Sequence, residues 1–232
     1  MKLIPVLELS YYNEDIAMPE EGPYWKYPKE WDEYHLKCLK SAGFSESLQA
    51  IEAGSSFFAL AELSDADLKK IVLDYTEDYR KGLENRDEIV PFYGGYILEL
   101  GARKLLYPQC CSDLGDIQYW KDLSMSKISF ENGHPQPKLR FEKEWLYFDL
   151  NMEDSSEDFC PCPTERSFKL SIDELRLAIQ STEIILENFE QRIKALFERE
   201  YLEMLGIEEL LIWRKSNKSY DLSEPYKQYN GD

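Results

Sequence analysis

The chain has 232 residues, 45 of them Asp or Glu and 27 Lys or Arg, which leaves a formal net charge of −18. Hydrophobic residues make up 43% and aromatic residues 14%, too much for a disordered chain and enough for the core of one domain. A field this negative repels nucleic-acid phosphates and anionic headgroups and speeds encounter with a cationic protein, so nucleic acid and membrane are not expected partners.

Leu3 to Leu9 reads as an opening strand that Glu8 interrupts. It is too short, and too soon charged, for a secretory signal. No run approaches the ~18 apolar residues that span a bilayer, so the chain is expected to be cytoplasmic with free thiols. Residues 11–34 place seven aromatic rings among seven carboxylates, with prolines that forbid a continuous helix. Pro28 suits the first turn of a helix carrying Trp31, His35, Cys38, Leu39 and Ala42, with Gly43 placed to end it. A short helix is expected over Glu46 to Ala53. Ser55 to Leu63 fits a strand or a buried helix.

Ser64 then caps a helix, with Asp67 three residues on and Leu68, Ile71, Val72, Tyr75 and Tyr79 on its apolar face, closed by Gly82. Ile89–Tyr93, Tyr96–Leu100 and Lys104–Tyr107 read as strands, with Gly94-Gly95 and Gly101 as the turns between them. A helix is expected around Ile117 to Leu123, and two strands within Lys138 to Leu150, where Trp145 to Leu150 predict burial on both faces. Asn151 to Phe168 reads as a long surface loop. Ser171-Ile172-Asp173-Glu174 is a full capping box. Behind it Leu175, Ile179, Thr182, Leu186, Phe189, Ile193 and Leu196 form one stripe, predicting a helix that runs to about Leu205. Ile207 to Arg214 makes a last short helix. These elements predict an α+β fold, with a mostly antiparallel mid-chain sheet packed by helices and a long C-terminal amphipathic helix. They form one domain over residues 1–214, followed by a polar tail over 215–232.

No complete catalytic or phosphate-binding motif is present. A soft-metal site would have to draw on Cys110, His134, Cys160 and Cys162. Neither cysteine pair has knuckle spacing, and adjacent residues of an extended chain point to opposite faces, so Cys110 and Cys111 are not expected to share an ion. One of that pair is expected in the core and the other at a turn, and neither pair has redox C-x-x-C spacing. His35 is expected on the apolar face of its helix, and His134 in a loop. The acidic run Glu153 to Asp158 lacks the spaced ligands of a calcium loop. No metal and no cofactor is expected.

The richest functional stretch is therefore residues 11–34. Tyr11, Tyr12, Tyr24 and Trp25 offer rigid contact area, and Glu20 and Glu21 offer carboxylates to a cationic surface. The function expected is an acidic protein-binding module, monomeric or homodimeric, of the kind that inhibits or confers immunity by neutralising a basic partner. The alternative is an enzyme using Asp or Glu, with Cys and His, in a cleft.

Overall fold

The computed structural model describes residues 1–127, 130–151, 157–197 and 204–213. The fold is α+β and built on two antiparallel sheets. The larger has the order β2-β1-β3-β4, with β1 at Lys2–Glu8, β2 at Phe57–Ala59, β3 at Gly94–Leu100 and β4 at Arg103–Leu106. The smaller has the order β5-β6-β7, from Lys138–Glu142, Trp145–Asp149 and Ser167–Ser171.

The alternation of β1 sends Leu3 and Leu7 to one face and Val6 to the other. The first face joins Tyr96 and Leu98 of β3 in the main core, under helix α5 (Ile172–Phe197). Along α5 the expected stripe is buried from Leu175 through Ile179, Thr182, Leu186 and Phe189 to Ile193. Thr182 donates its hydroxyl to the Leu3 carbonyl at 2.6 Å and ties the helix to β1. Ser171 caps α5 with a long 3.5 Å bond from the Glu174 amide. Residues 198–203, which the sequence assigns to the end of this helix, and the tail from 214 onward lie outside the described residues.

The second face of the large sheet buries Val6, Phe57 and Ile97 beneath Ile4, Ile51 and Tyr107. Helix α1 (Pro28–Ser41) sends Leu39 into the main core, and the Gly54 amide donates to Asp32 Oδ1 at 3.2 Å. Helices α2 (Asp65–Tyr75) and α3 (Glu77–Arg80) follow β2, α4 (Ile117–Ser124) precedes the small sheet, and α6 (Ile207–Ile212) packs on α5. Ser64 caps α2 as the sequence predicts, accepting from the Asp67 amide at 3.1 Å.

Several expectations are corrected. Gly94 and Gly95 lie inside β3, not in a turn. A Cβ on Gly94 would stand 2.2 Å from the Val6 carbonyl oxygen, so the glycine is there for close approach of two strands. Residues 89–93 form no strand, because the Phe92 amide is taken by the Leu211 carbonyl of α6 at 2.9 Å. Glu46 to Ala53 is not helical. Ser45 is held by Asp67, and the Ile51 amide pairs with the Phe57 carbonyl at 2.8 Å, so the segment is drawn toward the sheet edge. The stretch read as a loop up to Phe168 ends instead in β7. Strand β6 is fully buried on one face only, through Leu146 and Phe148, while Trp145 and Tyr147 are half-buried on the other. Among the described residues no helix is long and apolar enough to cross a membrane.

Candidate functional site

The chain leaves β1 at Leu9 and wraps residues 10–27 around one end of the large sheet before Pro28 starts α1. Asn13 organises the first bend. Its side-chain carbonyl accepts from the Asp15 amide at 2.9 Å, and its amide group donates to Ser41 Oγ at 3.1 Å. The far end is fastened by Trp31, whose indole N–H donates to the Glu21 carbonyl at 2.9 Å.

This wrapping separates the six residues singled out above. Tyr12 is 73% exposed, and Glu20 and Glu21 also face solvent. Tyr11 is half-buried: its hydroxyl donates to Asp74 at 2.8 Å and its ring meets Phe44 edge-on at 4.7 Å. Tyr24 and Trp25 pack edge-to-face at 5.1 Å, and both are half-buried. The structure thus leaves an outer layer of carboxylates with Tyr12 and Met18 exposed, and turns the two central rings inward.

Trp25 walls a cavity of about 260 Å³ whose other sides come from Glu52, Lys104, Tyr107, Gln109 and Pro161. Lys104 Nζ lies 2.9 Å from Glu52 Oε1, and the Tyr107 hydroxyl donates to the same oxygen at 2.7 Å. Burial, reinforced by that bond and by the charge of Glu52, drives the Tyr107 phenol well above its ordinary value. Burial does the same to Tyr24, helped by Glu52, Cys160 and Glu8, and its buried hydroxyl has no hydrogen-bond partner among the described residues. The Glu8 carboxyl is raised by desolvation against the pull of a 3.2 Å bond from Ser56. Nothing in the spacing of Glu52, Lys104, Tyr107 and Gln109 marks them in advance, because they meet only through the pairing of β3 with β4 and the wrapping of the N-terminal layer.

The cysteines are placed differently from expectation. Neither Cys110 nor Cys111 is core: both are exposed, with Sγ atoms 3.4 Å apart. They meet because the chain turns there, and residues of a turn escape the two-face rule of a strand. Cys160 and Cys162 are also exposed, and Cys38 alone is buried; all five are free thiols. The Gln109 side chain joins the two cysteine segments, accepting from the Cys160 amide at 2.9 Å and donating to the Cys160 carbonyl at 3.0 Å. His134 reaches this neighbourhood only by backbone, its amide donating to the Cys110 carbonyl at 3.0 Å. Among the described residues no three His, Cys, Asp or Glu side chains converge as metal ligands. His35 packs edge-on to Trp31 at 5.6 Å, and desolvation lowers its pKa. Of the acidic run, only Glu157 and Asp158 fall within the described residues, and both are exposed.

The arrangement offers a carboxylate-rich outer layer, with an aromatic cavity beneath it whose polar groups are already paired with one another. Neither a known protein family, nor a characterised protein, nor a solved structure matches this chain.

Proposed function

We propose that the chain is an acidic protein-binding module of the inhibitor or immunity type, and that its N-terminal layer captures a basic protein partner. One observation carries this. Glu14, Asp15, Glu20, Glu21, Glu30 and Glu33 are all exposed, and among the described residues none of them forms an ion pair. Exposed carboxylates without internal partners are open to ion pairing with a cationic surface. Exposed Tyr12 beside them supplies apolar contact at low entropic cost.

The enzyme alternative has less to support it. Glu52 already holds Lys104 and Tyr107, which leaves it poorly placed as a general base. The Cys160 thiol is pushed up, first by burial and then by Asp158 and Cys162, away from the thiolate that nucleophilic catalysis uses.

The test is kinetic. Basic proteins captured from the host are presented to the parent chain and to the Glu20→Lys, Glu21→Lys double variant, at low and at high salt. The parent should associate about tenfold or more faster at low salt, and the double variant should lose most of that advantage. An acidic partner, or a rate indifferent to both salt and the reversal, overturns the proposal.

A further inference from the structure

The turn that carries Cys110 and Cys111 is built in an unusual way. The Ser112 amide donates to the Gln109 carbonyl at 3.1 Å, so the two cysteines are the central residues of a four-residue β-turn. Cys111, the third residue, has φ of 72°, a left-handed conformation that turns normally assign to glycine or asparagine. A cysteine there costs on the order of 1–2 kcal/mol of backbone strain. The surroundings hold the turn in place. The Gln109 amide bonds to Asn132 O at 3.2 Å, and Ser112 O accepts from the Gly94 amide at 3.1 Å. Gly133 comes so close that a Cβ on it would stand 2.2 Å from the Cys110 carbonyl oxygen. A strained residue in a braced turn thus presents two solvent-exposed thiols with sulfur atoms 3.4 Å apart.

We propose that Cys110 and Cys111 are an oxidation site, closing to a disulfide between adjacent residues on reaction with a peroxide and reopening with a thiol reductant. In the first step one sulfur attacks a peroxide oxygen, the O–O bond breaks, and a sulfenic acid and one water result. In the second the neighbouring sulfur displaces the sulfenic oxygen, which leaves with a proton as a second water. Two thiols lose two electrons and two protons, and hydrogen peroxide becomes two waters. Adjacent Cα atoms stand about 3.8 Å apart, below the usual ~4.4–6.8 Å of a disulfide, so the bond is strained and readily reduced. The Cys110 thiol is raised by its contact with Cys111, and Glu157 and Glu8 add to this, so little of it is thiolate at neutral pH. The consequence is local: the first residue of the turn, Gln109, walls the cavity and holds the Cys160 segment, so ring closure tightens one side of that cavity.

The test uses the full chain, reduced and freed of reductant, then exposed to excess hydrogen peroxide. It is denatured, alkylated and mapped by mass spectrometry. The expected result is a loss of two hydrogens, three of the five thiols still alkylated, and an internal disulfide in the peptide holding Cys110 and Cys111, all reversed by dithiothreitol. The Cys111→Ser variant should keep its four remaining thiols. Cys111→Gly, which suits the left-handed backbone, should behave the same way while folding at least as stably as the parent. Five thiols still alkylated, a disulfide mapped to Cys160 and Cys162, a bond between two chains, or oxidation beyond sulfenic acid without ring closure would each overturn the proposal.

Discussion

The N-terminal layer and the small sheet are made of the same ingredients, aromatic rings and charged groups, and use them in opposite ways. On the solvent face of the small sheet the charges are satisfied internally. Arg140 lies over the Tyr147 ring at 4.3 Å and pairs with Glu142 at 2.7 Å, while Lys169 sits over Trp145 at 4.1 Å. Strand register does this, by setting Arg140 and Lys169 on either side of Tyr147. In the N-terminal layer seven carboxylates meet only two lysines, Lys26 and Lys29, while Trp25 walls the cavity and Tyr24 packs against it, half-buried. The lesson is that aromatic and charged composition does not by itself make a binding face. What separates the two regions is whether the charges have partners within the chain.

If the small sheet is self-contained, its inner face should carry much of its worth to the fold. Phe148 is 1% exposed, stacks on Phe168 at 4.9 Å and lies 6.3 Å from Trp120. Phe148→Ala should cost about 3–5 kcal/mol in urea unfolding, the range for a buried ring replaced by a cavity. A loss under about 1 kcal/mol would mean that the small sheet contributes little to the folded state and would break the comparison at its root.

A smaller effect is expected at the support of the N-terminal layer. Asp67 is buried, which alone would raise its pKa, but bonds from the Ser45 hydroxyl and amide and from Ser64 outweigh burial and hold it below its ordinary value of 3.8. Those bonds fix the turn beside Phe44, on which Tyr11 rests. A carboxyl depressed in the folded state stabilises above its unfolded value and loses that contribution as pH falls through the folded one. Asp67→Asn should therefore cost about 1.5–3 kcal/mol at neutral pH, and parent and variant should converge as the pH is taken below 3.8. A difference that does not change with pH would place the effect in packing instead of charge.

The fold was more legible in the sequence than the site, for physical reasons visible at particular residues. Caps and stripes are local: Ser64 with Asp67, and Ser171 ahead of Leu175 to Ile193, announce α2 and α5 because a helix satisfies its own backbone. Gly94-Gly95 misled because the same absence of a Cβ serves a turn or a close strand approach, and only the position of Val6 decides between them. The period-two run Ser167 to Ser171 carries a strand signal, but it is short and lies at the end of a polar stretch. At the candidate site the carboxylates could be named and their exposure could not. Tyr24 and Trp25 read equally well as surface or core, and the wrapping against Glu52 and Tyr107 sends them inward. The two-face rule of a strand does not reach Cys110 and Cys111, because the chain turns there and only the Ser112-to-Gln109 bond reveals it.

The smallest expected effects on stability are the sharpest test of the contrast, because here the two regions should differ in sign as well as in size. Arg140→Ala and Lys169→Ala each remove a cation from a ring and should each cost about 0.5–1 kcal/mol. The Glu20→Lys, Glu21→Lys double variant removes no internal partner, so its stability should stay within about 0.5 kcal/mol of the parent. It replaces two negative charges in a chain of net charge −18, so any shift should be toward greater stability at low salt and should fade as salt screens it. Thermal unfolding of the three variants, each at low and high salt, reads both predictions together. Loss of stability in the double variant comparable to the two alanine variants would mean that Glu20 and Glu21 do have work within the chain. Their claim to be free for a partner would then fail, even if association also slowed.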